Sequence, residues 1–234
     1  FGADVNDISR NRYFPKTTYE GYVQNGAAAK NTSNILSWLN ENILSYEKSF
    51  GSHKFNLMGG FTLQQEVGEG FSTSASDFPS DVFEDNNMSA GAKQTDPSYS
   101  YKSKWSMASW IGRVNYNLMD KYLLTLTGRA DGSSKFGEEN RWAFFPSVAV
   151  AWKASEEQFM KNLNAFSTLK LRFSVGTTGN SEIGLYQSQA ILSMQNYTFS
   201  EGNFSTGVGP IRMANPDLSW ETTLQYDAGL EMGF

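Results

Sequence analysis

The last fifteen residues, WETTLQYDAGLEMGF, alternate without a break between large apolar side chains and polar or small ones. Because successive side chains of a β-strand point to opposite faces, this period predicts a strand with one apolar and one wet face. At about 3.3 Å per residue and a tilt near 40°, the run covers roughly 38 Å along a barrel axis. The apolar band of a membrane barrel is only about 25 Å tall, and strands of soluble proteins usually have about 5 to 6 residues. The length therefore favours a membrane-spanning strand.

Other segments repeat this alternation, and together they predict about seven long strands. The clearest are KFNLMGGFTLQQEV, SWIGRVNYNL, RWAFFPSVAVAWK and LKLRFSV, whereas residues 35–46 alternate less cleanly. Residues 1–34 are polar and rich in Gly and Asn, which predicts a loop with one poor strand in TTYEGYVQNG.

The connections between these strands also alternate, between short and long. Along the chain they are SFGSHK (short), 68–104 (long), MDK (short), 131–141 (intermediate), 154–167 (moderate) and 177–219 (long). Outer-membrane barrels have tight periplasmic turns and long extracellular loops. A soluble sandwich has no physical reason to sort its loops in this way, so the pattern supports a barrel.

Composition excludes several other classes of protein. Nineteen Lys and Arg stand against 24 Asp and Glu, and no basic cluster marks a nucleic-acid partner. The chain has no Cys and one His, His53, so thiolate sites are excluded and little remains for a metal site or an imidazole base. The sequence also has no apolar run of 18 residues, so it predicts no transmembrane helix. We expect no cofactor, no metal and no catalytic residue.

The number of strands predicts that the chain is part of a larger barrel. Single-chain bacterial barrels normally have an even number of strands, from about 8 upward. An open edge exposed to lipid would cost several kcal/mol per unpaired backbone group. We therefore expect a fragment, or the ordered part, of a bigger wall.

The stretch ASEEQFMKNLNAF predicts a short helix in a periplasmic connection. Ser155 is the candidate N-cap, and Phe159, Leu163 and Phe166 have helical spacing. Glu156 and Glu157 are adjacent, and neighbours on a helix do not face one another. We therefore favour capping and helix-dipole interactions over acid-base catalysis for this pair.

The ordered set of motifs resembles the barrel of one transporter family. These motifs are GRVNY, YLLT, RADGSSKFGEENRWAFFPSVAVAWKASEEQFM, LKLRFSVGTTGN and NPDLSWETTLQYDAGLEMGF. They resemble the C-terminal half of the barrel in SusC/RagA-like TonB-dependent outer-membrane transporters, chiefly over residues 105–234. The turn DGSSKFGEEN would then be extracellular, with Arg129 ending one strand, Trp142 beginning the next, and Pro146 marking a bulge or a local break in pairing.

This resemblance implies a fold, a function and partners. The barrel would have about 22 strands with a plugged lumen, and residues 1–234 would be part of one C-terminal barrel domain without plug or TonB-engaging box. Such transporters sit in the bacterial outer membrane of Bacteroidetes. They pair with a SusD-like surface lipoprotein and use TonB, through the missing N-terminal part, to import glycans or peptides.

Strand parity assigns candidate roles to individual residues. The candidate lumen-facing residues are Arg113, Asn115, Arg129, Asp131, Lys170, Arg172, Gln225, Asp227 and Glu231. The candidate lipid-facing or girdle residues are Trp110, Trp142, Trp152, Leu171, Phe173, Trp220, Leu224 and Tyr226. Contact with substrate or plug is one interpretation of the first set. We favour the other, in which these residues pair with one another and hydrate a lumen wall. For the tryptophans we favour interfacial girdles over stacking on sugars.

Two other classes of protein stay open at this stage. A soluble β-sandwich that binds carbohydrate tolerates the same rings, Asn and Gly, but needs shorter strands. A glycoside hydrolase needs two carboxylates about 5 to 9.5 Å apart across a cleft, and no pair in the sequence indicates one.

Overall fold

The computed structural model describes residues 1–162, 166–200 and 203–234 and has an almost wholly β architecture. Its strands are β1 (Gly2–Phe14), β2 (Ala27–Phe50), β3 (His53–Ser76), β4 (Lys93–Gln94), β5 (Tyr99–Leu118), β6 (Tyr122–Ser133), β7 (Trp142–Lys153), β8 (Thr168–Asn180), β9 (Ile191–Ser200), β10 (Asn203–Arg212) and β11 (Glu221–Gly233). The α-helices are α1 (Tyr19–Gln24) and α2 (Gln158–Lys161), and short 3-10 turns cover Glu84–Asn86, Met88–Ala90, Glu138–Asn140 and Ala154–Glu156. Within these ranges, none of the helices has the length and hydrophobicity of a membrane-spanning helix.

The main sheet has the strand order β1-β2-β3-β5-β6-β7-β8-β11, with β4 added beside β3. A separate two-stranded sheet pairs β10 with β9. Neighbouring strands pair in an antiparallel manner, as seen for β5 with β6, β6 with β7, β7 with β8, and β8 with β11. The β2–β3 and β5–β6 connections are short and the β3–β5 and β8–β11 connections are long, as predicted, but the β6–β7 loop of 134–141 is shorter than the β7–β8 connection of 154–167. The long connection before β11 contains the β9–β10 hairpin.

Contacts divide the chain into two compact units. One comprises Phe1–Leu39 and Gln64–Trp105, and the other comprises Asn40–Leu63 and Ser106–Phe234. In the first unit β1 pairs with β2 from Gly2↔Leu39 to Phe14↔Ala27. Its small core consists of Ala28, Ala75 and Phe78, with Tyr13, Met88 and Ala90 packed against it.

The N-terminal region differs from the prediction. Residues 1–34 were expected to be a loop, but they contain β1 and the start of β2. The stretch TTYEGYVQNG was expected to hold a poor strand, but it forms α1. Thr18 caps this helix by accepting a hydrogen bond from the backbone N–H of Gly21 at 3.2 Å. Asn25 ends it in the left-handed conformation with φ 51°.

The predicted helix after β7 is only partly present. Residues Ala154–Glu156 form a 3-10 turn, and α2 follows with Glu157 as its N-cap residue and no side-chain cap bond. The prediction that Ser155 caps the helix is therefore wrong. Leu163, which the helical spacing included, lies outside the described residues.

Strand β6 ends, and the loop after it begins, later in the sequence than predicted. Strand β6 continues through Arg129 to Ser133, so the β6–β7 loop is 134–141. Pro146 stays paired with Gly128 of β6, with an uninterrupted register. On its other side the pairing of β7 with β8 ends at Ser147↔Gly176. A proline without a donor therefore lies where the pairing stops.

Candidate functional site

Strand pairing sorts the side chains of β5, β6, β7, β8 and β11 onto two faces. Arg113 pairs with Thr127, and Thr127 pairs with Ser147. Ser147 pairs with Gly176, which pairs with Gln225. Directly opposite residues of antiparallel strands share a face. The face defined by this row, called the polar face below, carries odd-numbered residues of β5, β6, β7 and β11 and even-numbered residues of β8.

All nine predicted lumen-facing residues lie on the polar face. Seven of the eight predicted lipid-facing residues lie on the opposite face, called the apolar face below. These are Trp110, Trp142, Trp152, Leu171, Phe173, Leu224 and Tyr226. The structure thus separates the two sets by face, while the medium that each face meets stays a prediction.

Trp220 is the exception. It precedes β11, and its ring packs on Phe136 and Phe145 with centroid distances of 5.1 and 5.5 Å. Phe145 pairs with Arg129 and therefore belongs to the polar face. The face to which Trp220 belongs stays a prediction, because strand parity does not extend to a residue outside the strand.

The best-buried ionic contact of the polar face joins Arg129 to Asp131. The Arg129 Nε atom donates to both Asp131 carboxylate oxygens at 2.7 Å. Its Nη2 atom donates to Ser109 Oγ at 3.1 Å. Ser109 and Asp131 face one another across β5 and β6, and both are buried. Such charge-assisted bonds fix both side chains and leave the carboxylate compensated.

Amide and hydroxyl side chains continue this network along the same face. Thr125 Oγ1 donates to Asn115 Oδ1 at 2.9 Å, and Asn115 Nδ2 donates to Asn56 Oδ1 at 3.4 Å. Arg113 Nε donates to Thr127 Oγ1 at 3.2 Å. These polar groups satisfy one another over the width of several strands.

A second charged cluster lies where β8 pairs with β11. Lys170 Nζ and Arg172 Nη1 lie 3.4 and 3.5 Å from Glu231 Oε1. Gly229 pairs with Arg172, and a Cβ atom at Gly229 would lie 2.3 Å from Arg172 Nε. The missing side chain therefore lets the arginine lie across β11. A hollow of about 310 Å³ beside this cluster is lined by Thr125, Lys170, Arg172 and Asp227, among other residues.

The predicted polar-face residues are therefore brought together in groups rather than into a single centre. Arg129 with Asp131, and Lys170 and Arg172 with Glu231, pair with one another. Their contact with a substrate stays a prediction. Among the described residues, no group of three or more His, Asp or Glu side chains could hold a metal ion.

The loop between β6 and β7 is fastened to the segment that precedes β11. Trp220 Nε1 donates to the Arg141 main-chain oxygen at 2.9 Å, and Asn140 Nδ2 donates to the Pro216 oxygen at 3.2 Å. A Cβ atom at Gly137 would lie 2.6 Å from the same Pro216 oxygen. Phe136 is 2 % exposed beneath these contacts. Strand periodicity gave no signal for this contact, because the two segments lie far apart in sequence.

At the other ends of the strands, Glu157 joins the connection after β7 to the β5–β6 turn. It accepts hydrogen bonds from Lys121 Nζ at 2.8 Å, Tyr122 OH at 2.6 Å and Trp152 Nε1 at 3.3 Å. The bonds from Lys121 and then Tyr122 lower the pKa of the Glu157 carboxyl to about 2. Glu156 pairs instead with Lys161 at 2.7 Å, so the two adjacent glutamates act separately.

Comparison with known proteins identifies the family. Residues 2–234 match the family described as TonB dependent receptor-like, beta-barrel. This chain belongs to that family. The match confirms the predicted resemblance and the prediction of an antiparallel β-barrel segment, and it favours the barrel over the soluble β-sandwich.

Individual members of the TonB-dependent receptor family agree with this assignment. The chain is 39% identical over 236 residues to TonB-dependent receptor P26 of Formosa agariphila, covering 99% of this chain and 24% of that protein. It is 36% identical over 202 residues to TonB-dependent receptor SusC of Bacteroides thetaiotaomicron, covering 82% and 19%. These organisms support the predicted Bacteroidetes origin. The chain spans about a quarter of the length of the first of these relatives.

A solved member of the family shows the same backbone arrangement. The structure of the RagAB peptide transporter superposes with a TM-score of 0.86 and 28% identity, covering 99% of this chain and 25% of that chain. The described strands, including the N-terminal β1 that the sequence did not predict, therefore follow a known barrel.

Proposed function

We propose that this chain forms part of the wall of an outer-membrane TonB-dependent importer. The single observation that carries the proposal is the separation of the two faces by strand register. Charged and amide side chains occupy the polar face, which we assign to the lumen. Rings and aliphatic side chains occupy the apolar face, which we assign to lipid.

The exposure of the apolar face supports this assignment. On β11 alone, Leu224, Tyr226 and Leu230 are 56%, 65% and 54% exposed. Soluble monomers rarely present contiguous apolar patches larger than a few hundred Å² to water. A lipid bilayer removes that cost, because hydrocarbon replaces water on this face.

Cargo and partners follow from the family and belong to the complete protein. We infer import of glycans or peptides, powered through TonB, with a SusD-like surface lipoprotein as partner. The SusC relative and the solved RagAB peptide transporter support this inference. The polar face contributes a hydrated, self-paired wall to the path, and we assign no catalytic role to it.

Cysteine labelling tests the face assignment, because this chain contains no Cys and the unsubstituted full-length protein gives the background from any thiol outside it. Tyr226→Cys and Asp227→Cys place thiols on adjacent residues of β11 that point to opposite faces. In the full-length protein in intact outer membranes, a small charged maleimide should label position 227 and leave position 226 unmodified. Phe173→Cys and Ser174→Cys on β8 form a second matched pair, with 174 reactive. Equal labelling at both parities would overturn the assignment.

Uptake measurements test the transport function itself. Cells with and without the encoding gene are given labelled oligosaccharides and labelled peptides. We expect uptake of one class to require the gene and to stop when a protonophore collapses the inner-membrane proton gradient. Uptake that is unchanged by gene deletion for both classes would contradict the proposed function.

A further inference from the structure

The apolar face has an open hollow of about 510 Å³ near the β5–β6 turn and the connection after β7. One row of its lining consists of Tyr122, Trp152 and Leu171, which pair across β6, β7 and β8. This row lies within a few residues of the β5–β6 turn and of the connection after β7. The volume is in the range of about 300 to 1,000 Å³ that is typical of ligand pockets.

A second row deepens the hollow. Leu124 pairs with Val150, and this smaller aliphatic pair is flanked by the rings of Tyr116 and Phe173 on the neighbouring strands. The larger side chains thus form walls on either side of Leu124 and Val150. Rings have few rotamers and keep this shape at low entropic cost. An apolar group that fills this open hollow gains dispersion contacts with the rings and aliphatic side chains that line it.

The polar atoms of the first row point away from the hollow. Tyr122 OH and Trp152 Nε1 both donate to Glu157, which lies in the connection beyond the strand ends. Only the carbon surfaces of these rings are therefore left for a ligand. Charges of both signs lie at the same end. Lys121 of the β5–β6 turn pairs with Glu157, and Lys161 pairs with Glu156 within the connection after β7.

We propose that this hollow binds one acyl chain of a phospholipid, with its headgroup at the charged end. The inference rests on the proposed function, because the apolar face must meet lipid for a lipid to enter. We expect an amphiphilic ligand, because the apolar hollow ends beside the charged residues of the connections. These residues include both cations and carboxylates, and this charge pattern suits a zwitterionic phosphoethanolamine headgroup better than an anionic one.

Native mass spectrometry of the full-length protein tests the site. The protein is purified in mild detergent and titrated with dioleoyl phosphatidylethanolamine. Leu124→Trp fills the hollow from its floor, and we expect it to retain one lipid fewer than the wild type. Leu126→Trp is the matched control, because it adds the same ring on the same face of β6 but outside the hollow, and it should keep the wild-type number.

A second filling variant guards against a folding defect. Val150→Phe fills the same hollow from β7 and should also retain one lipid fewer. A difference in gel migration between unheated and heated samples shows that the variant forms an assembled barrel. Equal lipid retention by Leu124→Trp, Val150→Phe and the wild type would overturn the site. Equal retention of phosphatidylglycerol by the wild type would overturn the headgroup assignment.

The cysteine-labelling pairs separate this failure from failure of the proposed function. If Asp227→Cys is labelled, Tyr226→Cys is not, and the filled variants still retain every lipid, the face assignment holds and the lipid site alone is wrong. If both parities are labelled equally, the apolar face does not meet lipid and both proposals fall.

Discussion

Trp220 donates a hydrogen bond from its indole Nε1 atom to the main-chain oxygen of Arg141 at 2.9 Å, although the two lie 79 positions apart in the sequence. The same indole packs on Phe136 and Phe145. A segment just before the last strand is thereby held on a loop between two earlier strands. The long connection 181–220 consequently has a fixed point at its C-terminal end.

Removing this contact should loosen the long connection. Trp220→Phe keeps a packing ring and loses the hydrogen bond, which should weaken the contact by about 1 kcal/mol. Trp220→Ala also loses the ring packing and should weaken it further. Local opening exposes backbone to proteases, so the rate of proteolytic cleavage within 181–220 in the full-length protein should rise in the order wild type, Phe, Ala.

Trp110→Phe is the control for this series. Trp110 lies on the apolar face and packs on Phe61, so its replacement by Phe should leave cleavage within 181–220 unchanged. Wild-type cleavage rates in Trp220→Ala would show that the contact does not hold the connection.

A charge on the apolar face should impair assembly. Leu224→Arg places a cation on the apolar face, which we propose meets lipid, and should cost about 2 to 4 kcal/mol if the residue lies near the bilayer midplane. Leu171→Arg on β8 should act in the same way. Heat-resistant folded protein in outer-membrane fractions, measured by gel electrophoresis, should fall for both variants.

Gln225→Arg adds the same charge one residue further along β11, on the polar face. It should assemble at the wild-type level, because the proposed lumen would supply water and carboxylates to this face. Equal tolerance of arginine at 224 and 225 would remove the physical basis for the membrane assignment.

The Glu157 cluster should make stability depend on pH in the acidic range. The folded pKa of this carboxyl is about 2, below its usual 4.5. A lowered folded pKa contributes stability that is fully present above the unfolded pKa and is lost as pH falls. Thermal unfolding of the full-length wild type and of Glu157→Gln should therefore differ at pH 7, and the difference should shrink between about 4.5 and about 2.

Glu156→Gln serves as the neighbouring control. Glu156 pairs with Lys161 within its own connection, so its loss should leave Lys121 and Tyr122 held by Glu157. A difference between wild type and Glu157→Gln that stays constant from pH 7 to pH 2 would contradict the role of the ionised carboxyl.

Neutralising Asp131 should destabilise the wall more than neutralising an exposed carboxylate of the same face. Asp131→Asn weakens the bonds from Arg129 in a buried setting, and charge-assisted hydrogen bonds contribute about 1.5 to 3 kcal/mol. Asp227→Asn, at an exposed position, should change stability by less than about 0.5 kcal/mol. Denaturant unfolding of the full-length protein in detergent measures both, and equal losses would count against a structural role for the Arg129–Asp131 pair.

Local patterns predicted most of the strands and the division of their side chains between two faces. Alternation with period two is a property of the extended backbone itself. That Leu224 and Tyr226 lie on the apolar face of β11 can therefore be predicted without knowing which strand lies beside it. The same pattern failed at α1, because Thr18 and Asn25 cap a short helix there. It also gave no sign of β1 among polar residues that pair with β2.

The order of residues along each strand was enough to predict which of its side chains share a face, because that depends only on neighbours in the same strand. The contacts that those side chains make were seen only in the folded protein. The position of Trp220 on Phe145, the gathering of Lys121, Tyr122 and Trp152 around Glu157, and the hollow between Tyr116 and Phe173 all join residues from different strands or connections. Such contacts depend on strand register and loop geometry, which are set by pairing across the sheet and leave no periodic trace along the chain.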